Sequence, residues 1–472
     1  MIQSRFSPAT IKLVIWLLCG ALSALVAAHH EPWRDEAQAW LIARDTASLP
    51  ALLQLGGYEA SPMLWHLVLR PLAQAGLPYW SMQVLNLVFV LSTAAIVLYC
   101  APFSLAQKAA IIFGYYFFYE YGIIARSYGL SNLLLTALAA RYRRRIQHPL
   151  LFAALLFGLA NSSSMGLILA LTIGGFFLAE LRGQSGRAMF LGTSLIIVLA
   201  LALAVYQIIP PQDVSAGRKL AGLSANWLPA SWAALAIGNA FAILPEGNIH
   251  FWNTSLWLRI PSPFWQLCSI ILLISSIFCF RRHPRYLRLY LFINFALSAA
   301  IVALFLQFNS RHTGFLFLAF VFVFWITQDC THPARVRTDR FAVSFFSLVL
   351  LFQLYASAVA LYCELRQPFS PGQIAARFLS DHGYIRADTI IASFGSHIAA
   401  SILPFLPESC RFYQTESGEF GSYVVWNTAF YTGGALRHLA LRRLARLSST
   451  TKPETILLLS YAPIDGHLLD KN

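Results

Sequence analysis

Charge is what this chain has least of. Asp, Glu, Lys and Arg make up 11% of its 472 residues, against 58% hydrophobic residues, and the mean hydropathy is +0.61. An ordinary soluble domain carries roughly 25% charged residues, so that class is excluded. Cysteine is scarce as well. Of the seven, Cys19, Cys268 and Cys279 lie inside apolar runs, Cys100, Cys330 and Cys363 lie at or near their ends, and Cys410 stands apart. They read as small packing residues, with no disulfide framework or metal cage. No CxxC pair, Walker-type glycine loop or GxSxG occurs in a supporting context, which argues against nucleotide-driven and serine-hydrolase chemistry. His66, His312 and the pair His29-His30 lack HExxH spacing and read as interfacial hydrogen-bonding groups. No internal repeat is visible.

What the chain does have is apolar runs of the roughly 17–25 residues that cross a bilayer. Candidate spans fall near 13–28, 80–100, 109–120, 127–141, 149–160, 165–180, 188–209, 262–280, 289–307, 313–328 and 341–363. The expected fold is therefore an α-helical polytopic membrane protein of about eleven transmembrane helices, with outer juxtamembrane helices and a small C-terminal α/β domain. The first run follows Arg5 and Lys12 and ends in small residues, which also suits a cleaved signal peptide. An uncleaved span with a cytoplasmic N-terminus is the preferred reading, because the later charge pattern continues in phase with it.

Threaded that way, the inner segments hold sixteen basic residues, including Lys108, Arg141, Arg143 to Arg145, Arg281 and Arg285, against Glu180, Asp329 and Asp339. The outer segments before residue 364 hold eight basic and eight acidic residues. The net charge of +14 is thus a positive-inside bias, and no nucleic-acid footprint. An inner-membrane, multi-pass protein with its C-terminal segment outside is expected.

From Glu364 onward the character changes: 19 of 109 residues are charged, against 35 of the preceding 363. The expected division is a transmembrane domain over 1–363 and an exported, water-facing α/β domain over 364–472. Within the latter, helices are predicted over 370–379, 397–406 and 436–447, and strands over 389–393, 423–426 and 455–461. The outer segment near 210–261 carries several tryptophans and is expected to hold amphipathic or re-entrant pieces.

Just beyond the first span comes Trp33-Arg34-Asp35-Glu36, followed by Tyr58-Glu59-Ala60-Ser61-Pro62-Met63-Leu64-Trp65. Pro32 can open a helix with Trp33, Ala37, Trp40 and Leu41 on one face, lying flat on the bilayer with its indoles at the interface. Carboxylates next to lipid cost free energy unless they are used. Complementing the helix dipole is one use, and chemistry is the other.

An Asp-Glu pair on a first outer juxtamembrane helix, followed by a proline-containing aromatic stretch, resembles the GT-C glycosyltransferases, especially protein O-mannosyltransferases and bacterial aminoarabinose transferases. The likeness covers roughly residues 1 to 145 as ordered motifs and the remainder as topology. Ser61-Pro62-Met63 stands where the family has a double proline. The resemblance implies transfer of a sugar from a polyprenyl-phosphate donor to a lipid, glycan or protein hydroxyl on the non-cytoplasmic face. It implies Asp35 as base with Glu36 as its neighbour, and Glu120 as the second-loop acidic residue that positions donor or metal.

Such chemistry needs a carboxylate near the acceptor and cations near the phosphate. Arg126 and Arg311, with His312 beside it, run against the positive-inside bias and suit phosphate, which a guanidinium binds with two parallel hydrogen bonds. Snorkelling to lipid headgroups is their other reading. Arg218 and Lys219 are further phosphate candidates, or else a solvated loop. Glu59 and Tyr128 are candidates for positioning substrate. A cofactor is not specified, although a divalent cation at Asp35 and Glu120 fits the resemblance. A secondary transporter or lipid flippase is the competing class, against which stands the placing of charge at span ends, away from the midplane.

Overall fold

The computed structural model describes residues 7–214, 229–247, 251–305, 309–330, 339–386, 389–407, 409–435, 437–451 and 456–460. Among them, seven helices have a stretch long and apolar enough to cross a bilayer: Pro8–His29, Ser81–Cys100, Ser164–Leu181, Arg187–Ile208, Pro284–Val302, Ser310–Asp329 and Arg340–Glu364. Pro149–Ser162 and Ser262–Phe278 are shorter apolar helices. The chain is a helical membrane protein. Its contacts divide it into two compact units, one of 1–30, 83–206 and 218–367, the other of 31–82, 207–217 and 368–472.

The first unit is organised around the helix Ser310–Cys330. Phe315, Phe317, Phe320, Phe322, Phe324 and Trp325 are buried on it all round, as expected of a helix enclosed by others rather than facing lipid. Arg187–Ile208 is the opposite case and presents Leu191, Leu195, Val198 and Leu199 outward. At one end of the helices, ion pairs brace the bundle. Glu180 binds Arg145 at 2.6 Å and also Arg285, and Arg281 reaches Asp339 at 2.7 Å. At the other end His30 Nδ1 lies 2.8 Å from Glu364 Oε1, tying the close of the first helix to the close of Arg340–Glu364. Within the 210–261 segment, the helix Pro229–Phe241 buries Leu235, Ala236, Ala240 and Phe241. It packs against Ser262–Phe278 and Ser310–Cys330.

The span expected over 109–120 is not one helix. Leu105–Ile112 is α-helical, and after a break Tyr116–Glu120 forms a π-turn, with the Tyr121 N–H donating to the Tyr116 carbonyl at 3.1 Å. Six aromatic residues fill positions 115–121 around Glu120, and all are buried. So many large rings crowd any single stripe of an α-helix, and one extra residue in the turn spreads them.

In the second unit the helix Arg34–Asp45 buries every side chain from Glu36 to Ala43. This corrects the surface-lying helix expected from its pattern. Trp40 is 3% exposed and packs on Tyr79, which in turn packs on Phe405. The indole is a core group. Helices Leu49–Glu59 and Leu64–Gln74 follow.

Strands β1 (Ile390–Phe394), β2 (Arg411–Gln414), β3 (Glu419–Phe420) and β4 (Ile456–Ser460) make one sheet in the order β3-β2-β1-β4. β1 is central, buried throughout, and parallel to β2 and β4. The helix Arg437–Thr451 lays Leu444 and Leu447 over Ile390, Ala392 and Tyr413. The helix expected over 397–406 is a short α-turn, Ser396–Ala399, continuing as a 3-10 helix to Phe405. The strand expected over 423–426 is absent. There the Val424 N–H donates to Gln38 Oε1 at 3.0 Å, and the Gln38 Nε2 donates to the Val424 carbonyl at 2.7 Å. A side-chain amide takes the place of a neighbouring strand.

Gly314 tests the packing of the first unit. A Cβ there would lie 2.3 Å from both Tyr116 Cδ1 and Tyr121 Oη, so Gly314→Ala should destabilise by about 1–3 kcal/mol. Gly175, with nothing within 4 Å of its Cβ position, should tolerate alanine and gain up to about 1 kcal/mol of helix propensity. Thermal unfolding of the two variants in detergent checks the contrast, and equal midpoints would refute the packing.

Candidate functional site

Each unit carries its own cluster. In the first, Glu120 closes the π-turn with 2% exposure. Its Oε2 accepts from Tyr115 Oη at 2.8 Å and from Trp252 Nε1 at 3.0 Å. The cations nearest in electrostatic terms are Arg311 and Arg126. Arg311 stands in the first turn of Ser310–Cys330, and its carbonyl accepts from Tyr121 Oη at 2.8 Å. Arg126 immediately precedes the helix Ser127–Arg141, and its guanidinium lies over the Tyr128 ring, 5.1 Å from the centroid. Tyr128 Oη is 3.2 Å from His312 Nε2. Both arginines therefore sit at helix N-termini, where exposed backbone N–H groups and the helix dipole add positive potential. Glu120, Arg126, Tyr128, Arg311 and His312, separate in the sequence, belong to one cluster.

A second buried carboxylate adjoins it. Tyr119, on the same π-turn, donates to Glu364 Oε2, and His30 holds the other oxygen. The side chains of His30 and Glu364 have no exposure. The sequence did not assign Trp252, Glu364 or His30 to a common site. Glu364 reads as the first residue of a water-facing tail, His30 as interfacial, and Trp252 as one tryptophan among several. The polar residue ending an otherwise apolar helix was the available signal.

In the second unit Glu36 is fully buried and accepts from the Trp33 N–H at 3.0 Å, which satisfies a donor at the start of its own helix. Asp35 is part-exposed, 3.5 Å from Arg34 Nε. Glu59 Oε1 accepts from Gln38 Nε2 at 2.8 Å and from Trp426 Nε1 at 3.1 Å. The ring of His397, from Ser396–Ala399, lies 5.9 Å from that of Trp426. Gln38, His397 and Trp426 are additions that no local motif announced. Arg218 and Lys219 lie outside the described residues.

Among the described residues no group of three or more His, Cys, Asp and Glu is placed to hold a metal ion. Asp35 and Glu120, the pair considered for a divalent cation, belong to different compact units. The chain matches no protein-family model, no curated protein and no solved structure.

The capping role of Glu36 in the helix Arg34–Asp45 is open to experiment. Glu36→Ala removes the acceptor for the Trp33 N–H and should cost about 0.5–2 kcal/mol of stability. Glu36→Gln keeps an acceptor and should cost less. Thermal unfolding in detergent measures both, and an alanine variant as stable as wild type would mean the cap contributes nothing.

Proposed function

We propose that the protein is a membrane glycosyltransferase of the GT-C type, moving a sugar from a polyprenyl-phosphate carrier to an acceptor hydroxyl on the non-cytoplasmic face. The observation that carries this reading is the gathering of Arg126, Arg311 and His312 near Glu120, at helix N-termini. This end of the bundle is opposite the one where Arg145, Arg281 and Arg285 are already paired with acidic residues. Cations at that end gain little from the inner-leaflet bias and are suited to a lipid-linked phosphate. Glu120, held by Tyr115 and Trp252, lies within electrostatic reach of both guanidinium groups. The leaving phosphate departs with charge stabilised by the two guanidinium groups.

Asp35 is the general base of the proposal. Its carboxylate is part-exposed beside Arg34, whereas that of Glu36 is committed to the helix start, which supports Asp35 as the group that takes a proton from an acceptor. The finer topology belongs to the same reading: about eleven spans, the N-terminus in the cytoplasm, and residues 364–472 as an exported α/β domain.

The decisive experiment measures release of polyprenyl phosphate from a labelled polyprenyl-phosphate sugar by monodisperse protein in detergent, and a persistent absence of release would sink the transferase. Arg126→Ala should weaken donor binding by about 1.5–3 kcal/mol, with partial recovery in Arg126→Lys because lysine lacks the two-pronged geometry. Unchanged donor binding would assign Arg126 to headgroup anchoring. Asp35→Asn should lower turnover by about 10²–10⁴-fold while donor binding persists. Cysteine-accessibility labelling should place residues 35 and 420 on the non-cytoplasmic face, and a cytoplasmic result for either overturns the topology.

A further inference from the structure

In the second unit Trp426 is held by its edge. The indole N–H donates to Glu59 Oε1 at 3.1 Å, and the same oxygen accepts from Gln38, so the ring plane is fixed while the residue stays only half-buried. Tyr431 offers a second ring 6.2 Å away at 32°, and is 45% exposed. Phe430 backs the indole edge-on at 5.3 Å and is buried. The His397 ring lies 5.9 Å from the indole, and its Nδ1 is buried with no hydrogen-bond partner among the described residues. Burial, and after it the nearby Arg34 guanidinium, push the His397 pKa below its ordinary value. The imidazole is therefore uncharged at neutral pH and can both donate and accept. Asp35 lies within electrostatic reach of the same ring.

We infer that Trp426, Tyr431 and His397, beside Asp35, form a platform for the sugar ring of a neutral saccharide acceptor. The charge arrangement selects the ligand class. The Asp35 carboxylate is paired with Arg34 at 3.5 Å and that of Glu59 is held by Gln38 and Trp426, which suits a neutral polar molecule. Fixed aromatic faces take up an apolar surface, while a carboxylate and a neutral imidazole bind hydroxyl groups. A pyranose has both parts, a flat face of C–H bonds and a rim of hydroxyls. The identification of this ring as the acceptor rests on the transferase reading; the platform itself does not.

The test uses the full-length protein in detergent, labelled with 5-fluorotryptophan and observed by fluorine NMR. The Trp426 resonance is the one lost in Trp426→Phe, and the remaining resonances report that this variant is folded. The probes are the methyl glycosides of glucose, mannose and N-acetylglucosamine. At least one should shift the Trp426 resonance saturably, and His397→Gln should weaken that binding by about 2–10-fold, the worth of one neutral hydrogen bond. If none of the three moves the resonance, the platform is wrong. Saturable binding at Trp426 with no release of polyprenyl phosphate from any donor keeps the platform and removes the transferase. Release of polyprenyl phosphate with a silent Trp426 does the reverse.

Discussion

Burying a carboxylate inside a helical membrane protein is costly unless it finds hydrogen-bond donors, because no water is at hand to supply them. Among the described residues the first unit has two such groups, Glu120 and Glu364, served by the hydroxyls of Tyr115, just before the π-turn, and Tyr119, within it. Much else at that end follows. The turn must carry Tyr115 and Tyr119 toward different partners, which an uninterrupted α-helix does not allow at this density of rings. Gly314 must lack a side chain so that Tyr116 and Tyr121 can lie against the central helix, and Tyr121 in turn anchors the backbone of Arg311. The cations thus inherit their positions from the way two acids are kept satisfied.

The second unit solves a related problem with amides. Gln38 spends its side chain on the backbone of Val424 and on Glu59, and Glu59 spends its own on Trp426. A short polar network therefore sets the position of an aromatic surface. Fully satisfied networks of this kind fix one arrangement of a core, where apolar packing alone leaves several of similar energy.

Hydrophobic run length made the membrane class and the long helices plain in the sequence, since bilayer thickness imposes it directly. Ser81–Cys100 and Ser164–Leu181 lie within a residue or two of their expected bounds. The central parallel strand β1 was legible too, from a short β-branched run between polar breaks. What was hidden depended on partners distant in the chain. Trp33 and Trp40 repeat at helical spacing whether the helix lies on lipid or inside protein, so periodicity could not tell those settings apart. The extended stretch at 423–426 has strand composition, and only the unforeseeable amide of Gln38 decides how its backbone is satisfied. Arg126 and Arg311 stood out because they oppose the charge bias, whereas Glu364 and His30 did not, because a polar residue at a helix end is ordinary until its partner is known.

The bond between Gln38 and Val424 joins positions 386 residues apart, and it has a consequence for how the protein is made. At about 5–20 residues per second, a ribosome needs on the order of 20–80 s to travel from one to the other. Throughout that interval the helix Arg34–Asp45 has emerged without the segment that pairs with Gln38 and packs Tyr423 and Val425 against the cluster of Ile42. The membrane surface, or a chaperone, must shelter it until the last quarter of the chain arrives. Early termination would leave Gln38 and Ile42 without those partners, and the C-terminal segment expressed alone would lack the strip against which it closes.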